Sequence, residues 1–311
     1  MSSNENVSVK DRFLGCLLGL AAGDAVGTSV EFSPRGSFEP VEDMVGGGPF
    51  HLQPGQWTDD TSMALCLAAS LVETGGFDAA DQMQRYHRWH KEGYMSSTDR
   101  CFDIGNTVMA ALDRYHASLD PYSGSIDALS AGNGCIMRLA PVPMFFANDH
   151  DTAVHHSAES SRTTHGAQEC LDASRLFGSI LVRALGGAKK DALLFGNEGL
   201  QLQAPKIQAI AKGDYKFKSE QDIRGSGYVV SSLEASLWCF LTTDNYRDAI
   251  LKATNLGEDA DTTAAITGQL AGAFYGVQSI PAGWLDKLAK RELLEGLAEK
   301  LWKAGCGHAV S

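Results

Sequence analysis

Residues 56–73 read QWTDDTSMALCLAASLVE. Three oxygen-bearing side chains, Thr58, Asp59 and Asp60, run straight into an apolar stretch in which Met63, Leu65, Leu67, Leu71 and Val72 recur at helical spacing. The stretch is apolar on more than one face, as a helix buried inside a protein must be. Residues 11–26 repeat the pattern with Phe13, Leu14, Leu17, Leu18 and Ala21. Capping residues at starts and glycines at ends predict further helices over 78–92 (Asp78 as N-cap), 104–117, 152–159, 166–185, 228–242, 245–254, 261–275 and 284–303. No alternating run long enough for a sheet competes with them, and neither a repeat nor a low-complexity tract interrupts them, so the expected fold class is all-α. Two stretches break the pattern: 33–57, rich in Gly and Pro, and 187–227, polar with Lys212, Lys216 and Lys218. A connection as long as the first points to a functional loop.

The 311 residues are 44% hydrophobic and 21% charged, enough apolar material for a large core in one or two domains. A net charge of -12 repels phosphate backbones and anionic lipid, which argues against nucleic acid and membrane surfaces as partners. A small phosphorylated ligand stays open to such a chain if bound cations or aimed backbone amides reverse the local field. The seven cysteines are odd in number, scattered and without a C-x-x-C pair, so neither a disulfide framework nor a zinc ribbon is expected. The apolar run from Phe13 to Gly23, at roughly 11 residues too short to span a bilayer, flows into Gly23-Asp24-Ala25-Val26-Gly27 and Glu31 as part of the fold. A cytoplasmic enzyme is the expectation.

A second oxygen cluster, Gly257-Glu258-Asp259-Ala260-Asp261-Thr262-Thr263, precedes the apolar helix Ala264 to Tyr275. Either cluster alone reads as helix capping, since Asp and Thr favour the N-cap and first turn. One capping oxygen is enough, however, and crowding carboxylates costs repulsion unless something neutralises them. Oxygen donors without histidine or thiolate suit a hard divalent cation rather than zinc.

Five elements appear in order: Gly23-Asp24-Ala25-x-Gly27 with Glu31, Thr58-Asp59-Asp60-Thr61, Gly132-Asn133-Gly134-x-x-Met137-Arg138, Thr164-His165, and Asp259-x-Asp261-Thr262-Thr263. Together they resemble the ADP-ribosylglycohydrolases. The segment Cys101-Phe102-Asp103-Ile104-Gly105-Asn106-Thr107 is similar to the branch containing the bacterial dinitrogenase reductase-activating glycohydrolase, which removes ADP-ribose from arginine. The resemblance implies a compact single-domain orthogonal helical bundle over 11–303, with short tails at 1–10 and 304–311, and a cleft holding two divalent cations, Mg²⁺ or Mn²⁺. It implies Thr58, Asp59, Asp60, Asp259, Asp261 and Thr262 as metal ligands. Asp103 and Glu31 become the candidate catalytic carboxylates; Glu31 lies in the family's mobile flap segment as a metal ligand or an acid/base group, and the loop 33–57 is expected to close over bound ADP-ribose and bring it toward the metals. The segment Ser130 to Asn133 with Gly132, and His165, would hold the distal ADP-ribose, Gly105 and Asn106 the pyrophosphate side, and Tyr228 would gate the cleft. The expected substrate is an ADP-ribosylated protein and the product ADP-ribose, handled by a monomer.

Blander readings stand beside these. Gly132-Asn133-Gly134 also reads as an ordinary loop, His165 as a capped helix-start histidine, and Asp103 as the cap of the helix 104–117. His87, His90, His150-Asp151, His155 and His156 allow an HD-type phosphohydrolase. A protein that binds ADP-ribose, or blocks a transferase as a toxin-immunity partner, is the alternative from another class.

Overall fold

The computed structural model describes residues 7–307; the outermost parts of both expected tails lie outside the described residues. Fourteen α-helices run through them: α1 (Val9–Gly27), α2 (Asp59–Thr74), α3 (Ala79–Glu92), α4 (Asn106–Ser118), α5 (Pro141–Phe145), α6 (His150–Arg162), α7 (Gln168–Leu185), α8 (Lys190–Phe195), α9 (Pro205–Ala211), α10 (Val229–Leu241), α11 (Tyr246–Thr254), α12 (Ala260–Tyr275), α13 (Ala282–Lys287) and α14 (Arg291–Gly305). No strand forms among the described residues, only three isolated bridges.

The helix pair α1 and α12 is the axis of the fold. Gly15, Gly19, Gly23 and Gly27 recur every fourth residue on one side of α1. A Cβ added at each would stand 2.2, 2.4, 2.3 and 2.4 Å from the carbonyl oxygens of Gly272, Gly268, Ala264 and Ala260, respectively. Gly268 and Gly272 return the contact, 2.1 and 1.9 Å from the oxygens of Gly19 and Gly15. Only residues without a side chain allow two helix backbones to approach so closely. The pairing is antiparallel, so the end of α1 carrying Asp24 lies at the start of α12. Arg12, at the other end, donates to the carbonyls of Phe274 and Ala273 at 2.6 and 3.2 Å and closes the C-terminus of α12.

The apolar stretch near the N-terminus is longer than its sequence reading. Ser8 caps α1 by accepting from the Asp11 amide at 3.0 Å, so Val9 and Lys10 belong to the helix rather than to a tail. The segment Val9–Val30 is long and apolar enough to cross a membrane, yet 89% of its apolar window is buried within the protein. It serves here as a core helix. At the other terminus α14 extends past residue 303 to Gly305, and the single helix expected over 284–303 is two, α13 and α14.

The loop 33–57 is tied down rather than loose. Val41, Met44, Leu52 and Trp57 are buried, and the Asn255 side chain bonds both the amide and the carbonyl of Val41 at 2.8 and 3.0 Å. Gly48 is needed for contact, since a Cβ there would meet the Thr28 oxygen at 1.9 Å. On the far side of α2, helices α3 and α4 pack a second core of Met63, Cys66, Met83, Tyr86, Trp89, Val108, Leu112, Tyr115 and Met137.

Candidate active site

The two oxygen clusters meet because the helices they open, α2 and α12, bring their N-termini together. They exchange hydrogen bonds: the Thr58 hydroxyl donates to Asp261 at 3.1 Å, and the Thr262 hydroxyl to Asp60 at 3.3 Å. Neither Thr58 nor Asp259, the two N-cap residues, caps its helix through its side chain. That task at α2 falls to Asp24 from α1. Its carboxylate accepts from the amide and hydroxyl of Thr58 at 2.9 and 3.0 Å, and from those of Thr61 at 3.1 and 2.6 Å. Capping from a different helix frees the local carboxylates for another role.

Carboxylate oxygens of Asp59, Asp60 and Asp261 lie within 4.8 Å of one another, as do those of Glu31, Asp103 and Asp261. The two groups share Asp261. Burial is the main reason their protons are held: Asp59, Asp60 and Asp261 are raised well above the ordinary carboxylate range, with mutual repulsion adding to it. Glu31 is raised by burial and then by Asp261, Asp103, Asp259 and Asp60. Asp103 is pushed up to about 7 by burial and by Asp24 and Asp259, against hydrogen bonds with Asp59 and Glu31. Asp24 is pushed up to about 6 by burial against its four hydrogen bonds. One oxygen of Asp60 and one of Asp261 are buried without any hydrogen-bond partner. An all-oxygen donor set, mutual repulsion and two orphaned oxygens fit a hard divalent cation.

Glu31 reaches this cluster through backbone pairing. Phe32 donates its amide to the Glu258 carbonyl at 2.7 Å, and Glu258 donates to the Ser33 carbonyl at 2.8 Å. In this arrangement a carboxylate oxygen of Glu31 lies within 4.8 Å of those of Asp103 and Asp261. Asp103 does not cap α4: the N-cap is Gly105, and no side chain caps that helix. Its backbone is left-handed, at φ 58°, and its carboxyl faces Glu31 and Asp59.

Above the carboxylates lies a cavity of about 930 Å³, lined by Glu31, Asp59, Asp103, Asp259, Asp261 and Thr262 on one side. Gly105, Asn106, Gly132, Asn133, Gly134, His165 and Gly227 line it as well. Asn133 is held by its side-chain amide, which donates to Asp259 at 2.5 Å and Ser232 at 3.2 Å. His165 is not at a helix start but buried beneath the Gly132–Gly134 turn. Arg138 donates to Thr164 Oγ1 at 2.6 Å, and that hydroxyl lies 2.8 Å from His165 Nδ1. The Thr164 hydroxyl thus links the Arg138 guanidinium to the imidazole and fixes the orientation of the ring. Burial and Arg138 lower the pKa of His165 to about 3, which keeps the ring neutral.

Two further expected contacts stand beside this cavity. Ser130 and Tyr228 line an adjoining cavity of about 540 Å³ that shares Thr107, Gly132 and Gly227 with the main one. The Ser130 hydroxyl is spent on the Asp127 carbonyl at 2.6 Å, and the Tyr228 hydroxyl donates to Glu169 at 2.5 Å while accepting from Lys206. The HD-type reading fails on geometry. Among the described residues both candidate metal groups are all-carboxylate, while His156 stacks on Phe77 and Phe146, His87 on His116, and His150 bonds Ser179. Sequence reasoning missed Asp24 and Thr61 as supports of the site, and Arg138 and Thr164 behind His165.

The family model for ADP-ribosylglycohydrolases matches residues 5–309. The ADP-ribosylarginine hydrolase Tri1 of Serratia proteamaculans (strain 568) is 45% identical over 292 residues, covering 94% of this chain and 79% of that protein. The ADP-ribosyl-[dinitrogen reductase] glycohydrolase of Rhodospirillum rubrum is 34% identical over 288 residues, covering 90% and 91%. A solved structure of an ADP-ribosylglycohydrolase-related protein complex superposes with a TM-score of 0.86 at 43% identity, covering 96% of this chain and 99% of that one. With the whole described fold matched and the two carboxylate clusters converging at the ends of its central helices, the chain belongs to the ADP-ribosylglycohydrolase family.

Proposed function

We propose that this protein removes ADP-ribose from arginine side chains of ADP-ribosylated proteins by hydrolysing the N-glycosidic bond. The observation that carries the reading is the pair of carboxylate groups sharing Asp261 beneath a cavity large enough for a dinucleotide-sized ligand. Its relatives named as ADP-ribosylarginine hydrolases support the linkage.

Cleavage at the ribose C1 atom passes through an oxocarbenium-like state and needs a proton at the departing guanidine and one removed from the incoming water. Asp103 and Glu31 face each other at the cavity wall, and Asp103, pushed up to about 7, exchanges a proton near neutral pH. The Gly132–Gly134 turn lets the backbone approach a bound ADP-ribose closely, and the neutral ring of His165 lies beneath it within reach of the same ligand. Thr58, Asp59, Asp60, Asp259, Asp261 and Thr262 would hold two divalent cations, Mg²⁺ or Mn²⁺, which when bound supply Lewis-acid orientation of ribose hydroxyls and water. All seven cysteines are free, in keeping with a reducing cytoplasmic setting, and we take the enzyme to act as a monomer.

The test is to incubate the chain with arginine-ADP-ribosylated protein and Mg²⁺ or Mn²⁺ and to measure free ADP-ribose. Release is expected and should stop in EDTA. Binding of ADP-ribose without release would instead make the chain a binding protein.

A further inference from the structure

The ADP-ribose walls and the carboxylates occupy the main cavity, but the arginine and the polypeptide it belongs to must leave that cavity on the side of the scissile bond. That side is built from the chain neighbours of the two candidate acids. Phe32 follows Glu31 and Phe102 precedes Asp103, and Phe50 from the loop 33–57 joins them. Ring centroids stand 6.5 Å apart for Phe32 and Phe50, and 5.2 Å apart for Phe50 and Phe102, with tilted or edge-on planes. Phe32 is 64% exposed and lines the main cavity. Phe50 and Phe102 line a second cavity of about 560 Å³, bounded also by His51 to Gln53, Gln56 and Ser97 to Cys101.

The backbone along this path is strained. Eight non-glycine residues are left-handed among the described residues, and five of them, Phe32, His51, Asp99, Asp103 and Glu258, line these two cavities. A 2.7 Å bond from the Phe32 amide to the Glu258 carbonyl holds the Phe32 backbone in place beside these cavities. A glycosylated guanidinium keeps its positive charge, is planar and weakly hydrated, and stacks on aromatic faces beside carboxylates.

Resting on the arginine reading above, we infer that Phe32, Phe50 and Phe102 form the subsite for the guanidinium of the modified arginine, and that the flanking polypeptide enters the second cavity. The rim then discriminates by charge: an uncharged linkage, such as one to serine, offers it no cation.

Phe50→Ala is the informative variant, because Phe50 adjoins no carboxylate in sequence. We expect KM for an arginine-ADP-ribosylated peptide to rise ~10-fold, about 1.4 kcal/mol, with Phe50→Trp restoring it. Calorimetric affinity for ADP-ribose should stay within about two-fold. Agmatine, a free guanidinium probe, should bind the ADP-ribose-loaded wild type and not the Phe50→Ala or Phe32→Ala proteins. Unchanged KM, or an equal loss of ADP-ribose affinity, overturns the subsite. A wild type that binds agmatine at the rim yet releases nothing from arginine-linked protein refutes the function while leaving the subsite standing.

Discussion

Helices α1 and α12 meet in two opposite styles. Along most of their length they touch backbone to backbone across Gly15, Gly19, Gly23, Gly268 and Gly272, with no side chain between them. At one end they meet through Asp24 and Asp261, part of a cluster of carboxyl groups that burial and repulsion both oppose. The first contact holds the fold together and the second works against it. A rigid seam is what allows the costly cluster to persist, since carboxylates on mobile supports would separate into water. Substitutions in the two regions should therefore differ in sign.

The largest effect is expected from Asp261→Asn, which keeps the volume and removes the charge shared by both carboxylate groups. Turnover should fall ~10³-fold or more, about 4 kcal/mol of barrier, while the chelated protein should melt at a higher temperature than wild type. A variant that is both inactive and less stable would erase the contrast. Gly268→Ala should do the reverse. Its Cβ would stand 2.1 Å from the Gly19 oxygen, and urea unfolding should show a loss of at least about 3 kcal/mol. Wild-type stability there would mean that the seam yields.

Asp103→Asn sharpens the comparison inside the cluster. Because Gly105 rather than Asp103 is the N-cap of α4, stability and ADP-ribose binding should survive while turnover drops ~10²-fold, about 2.7 kcal/mol. Normal turnover would return Asp103 to a structural role. Thr164→Val, which removes the hydroxyl bonded to His165 Nδ1, is expected to weaken ADP-ribose binding ~10-fold, with Thr164→Ser restoring it. Unchanged affinity in Thr164→Val would mean that the ring needs no hydroxyl to hold it.

The long periodic helices were legible because their apolar spacing is local. Helices α5, α8 and α9, of five to seven residues, are too short to show a period, and two of them lie in the polar stretch 187–227. The break between α13 and α14 passes through Lys290 at φ 47°, which no local residue choice announces. Crowding of oxygens at Thr58 to Asp60 and Asp259 to Thr262 is likewise visible in sequence, and the structure brings those residues together. What holds them is not visible: Asp24 acts on Thr58 and Thr61, 34 and 37 residues away. The four-residue spacing of glycines on α1 lay in plain view, yet reads as an apolar helix until its partner is known. Ser130 and Tyr228 line the cavity that adjoins the main one at Gly132 and Gly227, and chain neighbourhood with those glycines does not say which way a side chain turns.

The most direct test is thermal unfolding of the wild type in EDTA and in Mn²⁺ or Mg²⁺, from pH 5 to pH 7.5. A carboxyl whose folded pKa lies above its unfolded one keeps its proton in the folded state; the stability this gives is complete below the unfolded value and is lost as pH rises through the folded one. For Asp103 that window runs from 3.8 to about 7, and for Asp24 from 3.8 to about 6. His165, held neutral by burial, acts oppositely below its ordinary value of 6.5, and the difference between metal and chelator removes its contribution. The gain in melting temperature from the cation should grow steadily from pH 5 to pH 7.5 and vanish in Asp261→Asn. A gain that is absent, independent of pH, or retained in Asp261→Asn would contradict a buried carboxylate cluster built to hold cations.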